Sequence, residues 1–399
     1  MYKTREFSLK APKYNKMRIG IDCRMFSSGF TGIGRYTFEL VKNLEKLSIE
    51  DPAHQHQYVL FFNEDEFENF KPTAPNFEKV LVDAPHYSLK EQTSLLKAIN
   101  AQNLDLMHFT HFNAPIRYKK PFIVTIHDLT HTLFPGRKMT SLPYRMAYKA
   151  VITSAIKKSQ RIIAVSENTK QDIVRIHNAP SAKIQVVYEG ANPEYAQFSP
   201  EKRQQAAATL AQKYDIASPF ILYTGVHRYH KNLPRLIQAF ALLAQGPDAK
   251  HPDLKLVMTG RPNSLYPEAE QEVAKLNLED KVLRPGLVPE QDLIALYNLA
   301  NVYVFPSLYE GFGLPILEAM QCGTPVVASN VSSIPEVAGA DNAVFFDPEN
   351  PQDMADKIDQ VLEDPQLSAT LREKGLQRVK AFSWNKMAHE ILDLYNNAL

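Results

Sequence analysis

The stretch Pro306-Ser-Leu-Tyr-Glu310-Gly-Phe-Gly-Leu-Pro315-Ile-Leu-Glu318-Ala-Met-Gln-Cys-Gly323 follows the apolar run Val302–Phe305, which reads as a buried strand. Gly311 and Gly313 permit close backbone approach or a positive φ. Pro315 suits the first turn of a helix and Gly323 the position just past its end. Glu310 then sits in the loop and Glu318 about one turn into the helix. The first amides of a helix have no intrahelical partner and carry about half a positive charge. A helix start of this kind is an anion site, here flanked by two carboxylates. The amides would hold a diphosphate, and the carboxylates would accept hydrogen bonds from sugar hydroxyls. Read alone, Glu310 equally fits a solvated loop acid, and Glu318 a first-turn acid favoured by the dipole.

Outward from this stretch, strand and helix alternate along the chain. Short β-branched runs occur at 18–22, 57–62, 79–82, 106–109, 122–126, 161–165 and 184–187. Helical spacing marks 34–47, through Tyr36, Leu40, Leu44 and Leu47, and 142–158, through Met146, Ala150 and Ile156. The strands are continuous apolar runs, as in parallel sheets covered by helices on both faces. The pattern breaks at 192–200, between Pro193 and Pro200, which reads as a linker. It resumes with strands at 220–223, 254–259, 302–305, 326–328 and 344–346, a short one before Gly286, and a last amphipathic helix near 384–397. The fold class is therefore α/β, with two doubly wound domains in tandem.

The chain has 399 residues, enough for two domains of ordinary size. Its net charge of +1 gives no global field to gather nucleic acid. Two cysteines, Cys23 and Cys322, exclude a disulfide scaffold and a four-thiolate zinc site and suit a reducing compartment. No apolar run approaches the ~20 residues of a membrane-spanning helix. Residues 1–16 are basic without an apolar stretch, so they read as a mobile or surface-lying extension and not a secretory signal.

Three further segments can carry chemistry. Gly225-Val-His-Arg228-Tyr-His230-Lys231-Asn follows one strand and precedes a helix; Arg and Lys there would neutralise a diphosphate, though a solvated basic turn has the same composition. Gly29-Phe-Thr-Gly32-Ile-Gly34-Arg-Tyr follows the first strand, but Thr37 stands where a dinucleotide fingerprint needs its third glycine, so it reads as a loop at a sheet's ligand end. His127-Asp128 ends the strand 122–126, where a histidine either faces a ligand or is a satisfied structural residue. His108, Thr110 and His111 form a similar strand-end group. Arg137, Lys138, Arg145, Lys149, Lys157, Lys158 and Arg161 lie on or beside the helix 142–158; they fit a solvated face or a surface for anionic lipid.

The Glu310-to-Glu318 run, extended by Gly323-Thr-Pro-Val-Val-Ala-Ser-Asn330 and Ile334-Pro-Glu-Val-Ala-Gly339, resembles the E-x7-E signature of retaining glycosyltransferases of family 4. The resemblance runs from Met17 to about Tyr395 and is strongest over 221–347. It implies the GT-B fold, two Rossmann-like domains facing across a cleft. Residues 17–195 would be the acceptor side, with a helix at about 385–399 packing back on it, and 196–384 would hold the nucleotide sugar. It implies that Glu310 contacts donor sugar hydroxyls and Glu318 the ribose. The backbone of Gly311, Phe312, Gly313 and Leu314 would line sugar and phosphate. Lys231 takes the diphosphate, with Gly225 beside it. The family's loop arginine commonly stands where this chain has Val226 or His230, so Arg228 is the candidate and His230 a substitute. Gly32 and Gly34 would belong to a loop reaching the donor phosphate. His127 would bond a donor hydroxyl, with Asp128 orienting its ring or touching the acceptor.

The reaction implied is transfer of a hexose, mannose by preference, from a nucleotide diphosphate sugar to a glycan or lipid-linked saccharide, with retention. GDP-mannose is the favoured donor, with UDP-sugars open. No cofactor is implied. The chain has no Asp-x-Asp pair, so Arg228, Lys231 and the helix start would act in place of a metal. The expected location is cytoplasmic, with contact at the inner face of a membrane left open. The alternatives are a non-catalytic glycan- or subunit-binding relative, and a glycoside hydrolase using Glu310 and Glu318 as its two carboxylates.

Overall fold

The computed structural model describes residues 15–27, 32–50, 56–137, 141–217, 219–247 and 249–398. The first sheet comprises β1 (Arg18–Asp22), β2 (Gln57–Phe62), β3 (Phe77–Leu81), β4 (Leu106–Phe109), β5 (Phe122–Ile126), β6 (Arg161–Ala164) and β7 (Ile184–Val186), in the order β3-β2-β1-β4-β5-β6-β7. The second comprises β8 (Phe220–Thr224), β9 (Lys255–Thr259), β10 (Val282–Gly286), β11 (Val302–Phe305), β12 (Val326–Ser329) and β13 (Val344–Phe346), in the order β10-β9-β8-β11-β12-β13. β1 pairs in parallel with β2 and β4, and β8 with β9 and β11. In each sheet the strand order therefore reverses beside its first strand. Open α/β sheets bind ligands at that reversal, outside the carboxyl ends of the strands.

By compactness the chain divides into two units. The first holds Met1–Thr125, Val151–Ile162 and Ala388–Leu399; the second holds Ile126–Ala150 and Ile163–Met387. In the first, the helix Gly32–Glu50 buries Tyr36, Leu40, Val41 and Leu44. The later part of the helix Trp384–Asn396 belongs to this unit, where the Tyr395 hydroxyl meets His108 Nδ1 at 2.7 Å. In the second, Ile221, Leu236, Ile237, Phe240 and Leu256 are fully buried beneath the six-stranded sheet. Each such side chain contributes about 1.5–3 kcal/mol.

Several expectations change. Gly32 and Gly34 are the first turn of a helix and not a loop, because Tyr36 and Thr37 bury themselves and carry the helix back to Gly32. The rest of that segment, 29–31, lies outside the described residues, as do Lys138 and residues 1–14 of the extension. His108 is wholly buried, with Nε2 on Thr125 Oγ1 at 2.9 Å, and Thr110 Oγ1 donates to the Asp22 carbonyl at 2.7 Å. These two are internal ties of the first unit. His111 is buried beside Tyr87 and Phe112.

Candidate functional site

β8 and β11 are neighbours at the reversal of the second sheet, and the loops leaving their carboxyl ends meet. Lys231 Nζ, from the loop after β8, donates to Glu310 Oε1, from the loop after β11, at 2.6 Å. Both side chains are largely enclosed, 17% and 14% exposed, and the ammonium lies 5.7 Å from the Phe305 ring centroid. Asn232 latches the two loops. Its buried amide donates to the carbonyls of Pro306 at 3.1 Å and Pro348 at 2.7 Å. Two serines fix the Glu310 backbone: its N–H donates to Ser332 Oγ at 3.0 Å, and Ser333 Oγ donates to the carbonyls of Glu310 and Phe312, each at 3.0 Å.

The two glycines after Glu310 have different reasons. A Cβ on Gly311 would stand 1.8 Å from the carbonyl oxygen of His127, a backbone atom that cannot swing away. Gly313 holds φ +107° and caps the helix Leu314–Gln321, which carries Pro315 in its first turn. The Phe312 ring packs in a cluster with Val165, Leu317 and Phe382, and Leu314 packs against it. The side chains of these two residues are therefore committed to packing.

Glu318 projects from the first turns of this helix, and its Oε2 accepts from the Tyr297 hydroxyl at 2.8 Å. Tyr297 Oη also meets Thr224 Oγ1 at 2.8 Å, which meets Tyr303 Oη at 3.0 Å. The buried hydroxyls of Tyr223 and Ser307, near the ends of β8 and β11, have no hydrogen-bond partner among the described residues.

The loop cations separate. His230 is buried; desolvation, then the adjacent Lys231 ammonium, pushes its imidazole down to about 3, so the ring is neutral at working pH. Arg228 is exposed and lines a cavity of about 350 Å3 with His227, Tyr229, Arg235, Tyr266 and Glu268. Gly225 follows β8 directly, its amide on the Thr259 carbonyl at 3.0 Å.

His127 leaves β5 in the same compact unit. Its Nδ1 donates to Glu189 Oε1 at 3.2 Å, and both residues are buried. Asp128 instead uses Oδ1 to accept the Thr130 amide at 2.7 Å, so Glu189 is the carboxylate at the imidazole. Tyr309 ties this segment to the Glu310 loop: its hydroxyl donates to Asp172 Oδ2 at 2.9 Å and accepts the Leu129 amide at 3.3 Å. Burial and Asp172 push that hydroxyl well above its ordinary value, keeping it a donor. Gly32 and Gly34 belong to the other unit.

Glu189, Ser332, Ser333 and Tyr297 were not read as site residues from the sequence. Glu189 follows the last strand of its sheet at the ligand end, which is the signal that could have found it. The groups at the reversal are one ammonium and two carboxylates beside a helix start. Among the described residues, the one metal-competent trio, His251, Asp359 and Glu363, includes none of these residues, and Lys250 already occupies Asp359.

Residues 209–378 match the model of "Glycosyl transferases group 1", and residues 30–195 that of "Glycosyltransferase Family 4". The chain is 30% identical over 378 residues to the O-antigen chain mannosyltransferase B of Escherichia coli, covering 92% of this chain and 96% of that protein. It is similar in fold to a sucrose-phosphate synthase from Thermosynechococcus elongatus (TM-score 0.75, 21% identity, 96% and 99% of the two chains covered). It is also similar in fold to Anabaena Alr3699/HepE in complex with UDP and glucose (TM-score 0.71, 19% identity, 96% and 100% covered).

Proposed function

On the premise that the chain belongs to glycosyltransferase family 4 and transfers a hexosyl group, we propose that its donor is a nucleotide diphosphate sugar, GDP-mannose by preference, and that transfer retains the anomeric configuration without a metal. The observation that carries this is the enclosed Lys231–Glu310 pair at the reversal of the second sheet. A diphosphate entering there gives Lys231 a second anionic partner and releases Glu310 to accept hexose hydroxyls. The helix start at Gly313–Leu314 faces the same charge with its amides. Glu318 takes the ribose, and His127, its ring set by Glu189, bonds a hexose hydroxyl. Residues 196–384 are the donor domain in this reading, and 17–195 the acceptor side. The mannosyltransferase name of the Escherichia coli relative supports mannose, and the UDP bound by the Anabaena protein supports a nucleotide donor.

The step balances without a side-chain nucleophile. The bond from the anomeric carbon to the β-phosphate oxygen breaks, the acceptor oxygen bonds to that carbon, and the acceptor proton passes to the departing phosphate. Lys231 stabilises the charge that develops on the leaving group, with Arg228 as the second cation. A hydrolase would need Glu310 and Glu318 on opposite sides of one bond, whereas here one leads into the helix that carries the other.

The acceptor is a growing glycan or lipid-linked saccharide. The first turns of the helix Leu142–Lys158 support a membrane-side position: Leu142 and Met146 are 64% and 65% exposed, with Arg145 and Lys149 exposed beside them. No helix among the described residues is long and apolar enough to cross a membrane. A melting panel with GDP-, UDP- and ADP-sugars tests the donor: binding raises Tm by mass action, and the reading predicts the largest rise for GDP-mannose. Absence of any rise, together with no donor-dependent nucleoside diphosphate release, overturns it. Product anomer by NMR and rate in excess EDTA test retention and metal independence.

A further inference from the structure

The hydroxyls of Tyr303, Thr224 and Tyr297 form a buried file that ends on Glu318. Its direction follows from donor arithmetic. An ionised carboxylate only accepts, so the single hydrogen of Tyr297 goes to Glu318 Oε2 at 2.8 Å. Tyr297 Oη must then accept from Thr224 Oγ1 at 2.8 Å, and Thr224, its hydrogen used, must accept from Tyr303 Oη at 3.0 Å. Three bonds aligned head to tail polarise one another toward the carboxylate. Burial, then the Glu318 charge, drives the Tyr297 hydroxyl far above its ordinary value, so it remains a donor at any working pH.

Packing does not require this arrangement. The Tyr297 and Tyr303 rings lie 5.3 Å apart, and phenylalanine would fill the same space. Three elements distant in sequence contribute: the end of β8, the helix Glu290–Leu299 and β11. Glu318 is only half-buried, and Tyr297 anchors one of its carboxylate oxygens.

We propose that Tyr297 is a positioning residue, backed by Thr224 and Tyr303, that holds the Glu318 carboxylate turned toward the ribose of the bound nucleotide. This rests on Glu318 being the ribose ligand. Tyr297 touches no substrate and acts only through Glu318, so removing its hydroxyl weakens ground-state binding of the nucleoside and spares the chemical step.

The test is Tyr297→Phe, with GDP-mannose as donor and inorganic pyrophosphate as a ribose-free probe. A charge-assisted bond of this kind is worth roughly tenfold or more. KM for GDP-mannose should rise about tenfold with kcat held within about threefold, and affinity for pyrophosphate should not change. In a Glu318→Ala background the Tyr297→Phe substitution should add nothing. An unchanged donor KM, an equal loss of pyrophosphate affinity, or a full additional loss on top of Glu318→Ala each overturns the proposal. If Tyr297→Phe does not fold, Thr224→Val removes the middle link and should raise KM by a smaller factor; no rise again overturns it. If the wild-type chain itself binds no sugar nucleotide, the reading of the site falls first and this proposal with it.

Discussion

Replacing Lys231 with methionine keeps the stem of the side chain and removes the charge. In the wild-type chain the ammonium lies 2.6 Å from Glu310 Oε1, with each side chain about one-sixth exposed. At an effective dielectric of about 20 the gross attraction is about 6 kcal/mol, most of it consumed in desolvating the two ions. Orphaning a fully buried partner costs about 3–5 kcal/mol. With the residual exposure we take about 2–3 kcal/mol for Glu310 left alone, a fall of roughly 4–12 °C in the melting of this unit. Lys231→Met/Glu310→Gln removes both charges and should regain all but about 1 kcal/mol. Catalysis should not follow stability. Loss of the cation facing the departing diphosphate should slow transfer by about 10²–10³-fold in both variants. Calorimetry and donor-dependent nucleoside diphosphate release separate the two effects. A Lys231→Met enzyme with more than about a tenth of the wild-type rate would refute the electrophilic role. A double variant no more stable than Lys231→Met would refute the reading of the pair.

Gly311→Ala should destabilise by about 3 kcal/mol, the upper end for overpacking, because the new Cβ meets the His127 carbonyl, whereas Gly32→Ala meets nothing within 4 Å, sits in a helix and should stabilise by about 0.5–1 kcal/mol; urea unfolding compares them. Glu189→Gln keeps a partner for His127 Nδ1 but not its charge, and should lower kcat about tenfold while shifting Tm little. His230 is held near 3 in the fold against about 6.5 in the unfolded chain, so the unfolded state binds the extra proton between those values. Stability is therefore full above about pH 6.5 and declines as pH falls toward 3, by up to about 1.4 kcal/mol per unit from this group. Unfolding at pH 7 and pH 4.5 should show a shallower decline for His230→Asn.

The strands were legible because a strand buried on both faces leaves an uninterrupted apolar run; β1, β2, β4, β5, β11 and β13 begin and end where composition alone places them. β10 showed only as a short strand, because Arg284 and Pro285 interrupt it; it lies at the sheet edge, where proline is tolerated. Glu310, Lys231 and Glu318 were visible because the glycines and Pro315 around them announce a loop and a helix start. Their supports were not. Glu189 is 62 positions from His127, and Tyr297 is 21 from Glu318, so neither pairing leaves a local pattern. Two glycines near a strand end resemble a loop, yet the helical spacing that starts at 34 already placed Gly34 in the helix; only its extension back to Gly32 left no pattern in the sequence.

The bond between His108 and Tyr395 joins residues 287 positions apart, both in the first unit. A ribosome adding about 5–20 amino acids per second needs roughly 15–60 s to travel that interval. From the completion of β5 onward the nascent first sheet has strands β1 to β5 in hand but lacks the tyrosine that satisfies the buried imidazole at its centre. The second unit can complete its core earlier than the first, although synthesis begins with the other. Completion of the first unit would thus wait on a late-arriving helix, and agents that shield unfinished sheets would be needed longest at the amino-terminal half.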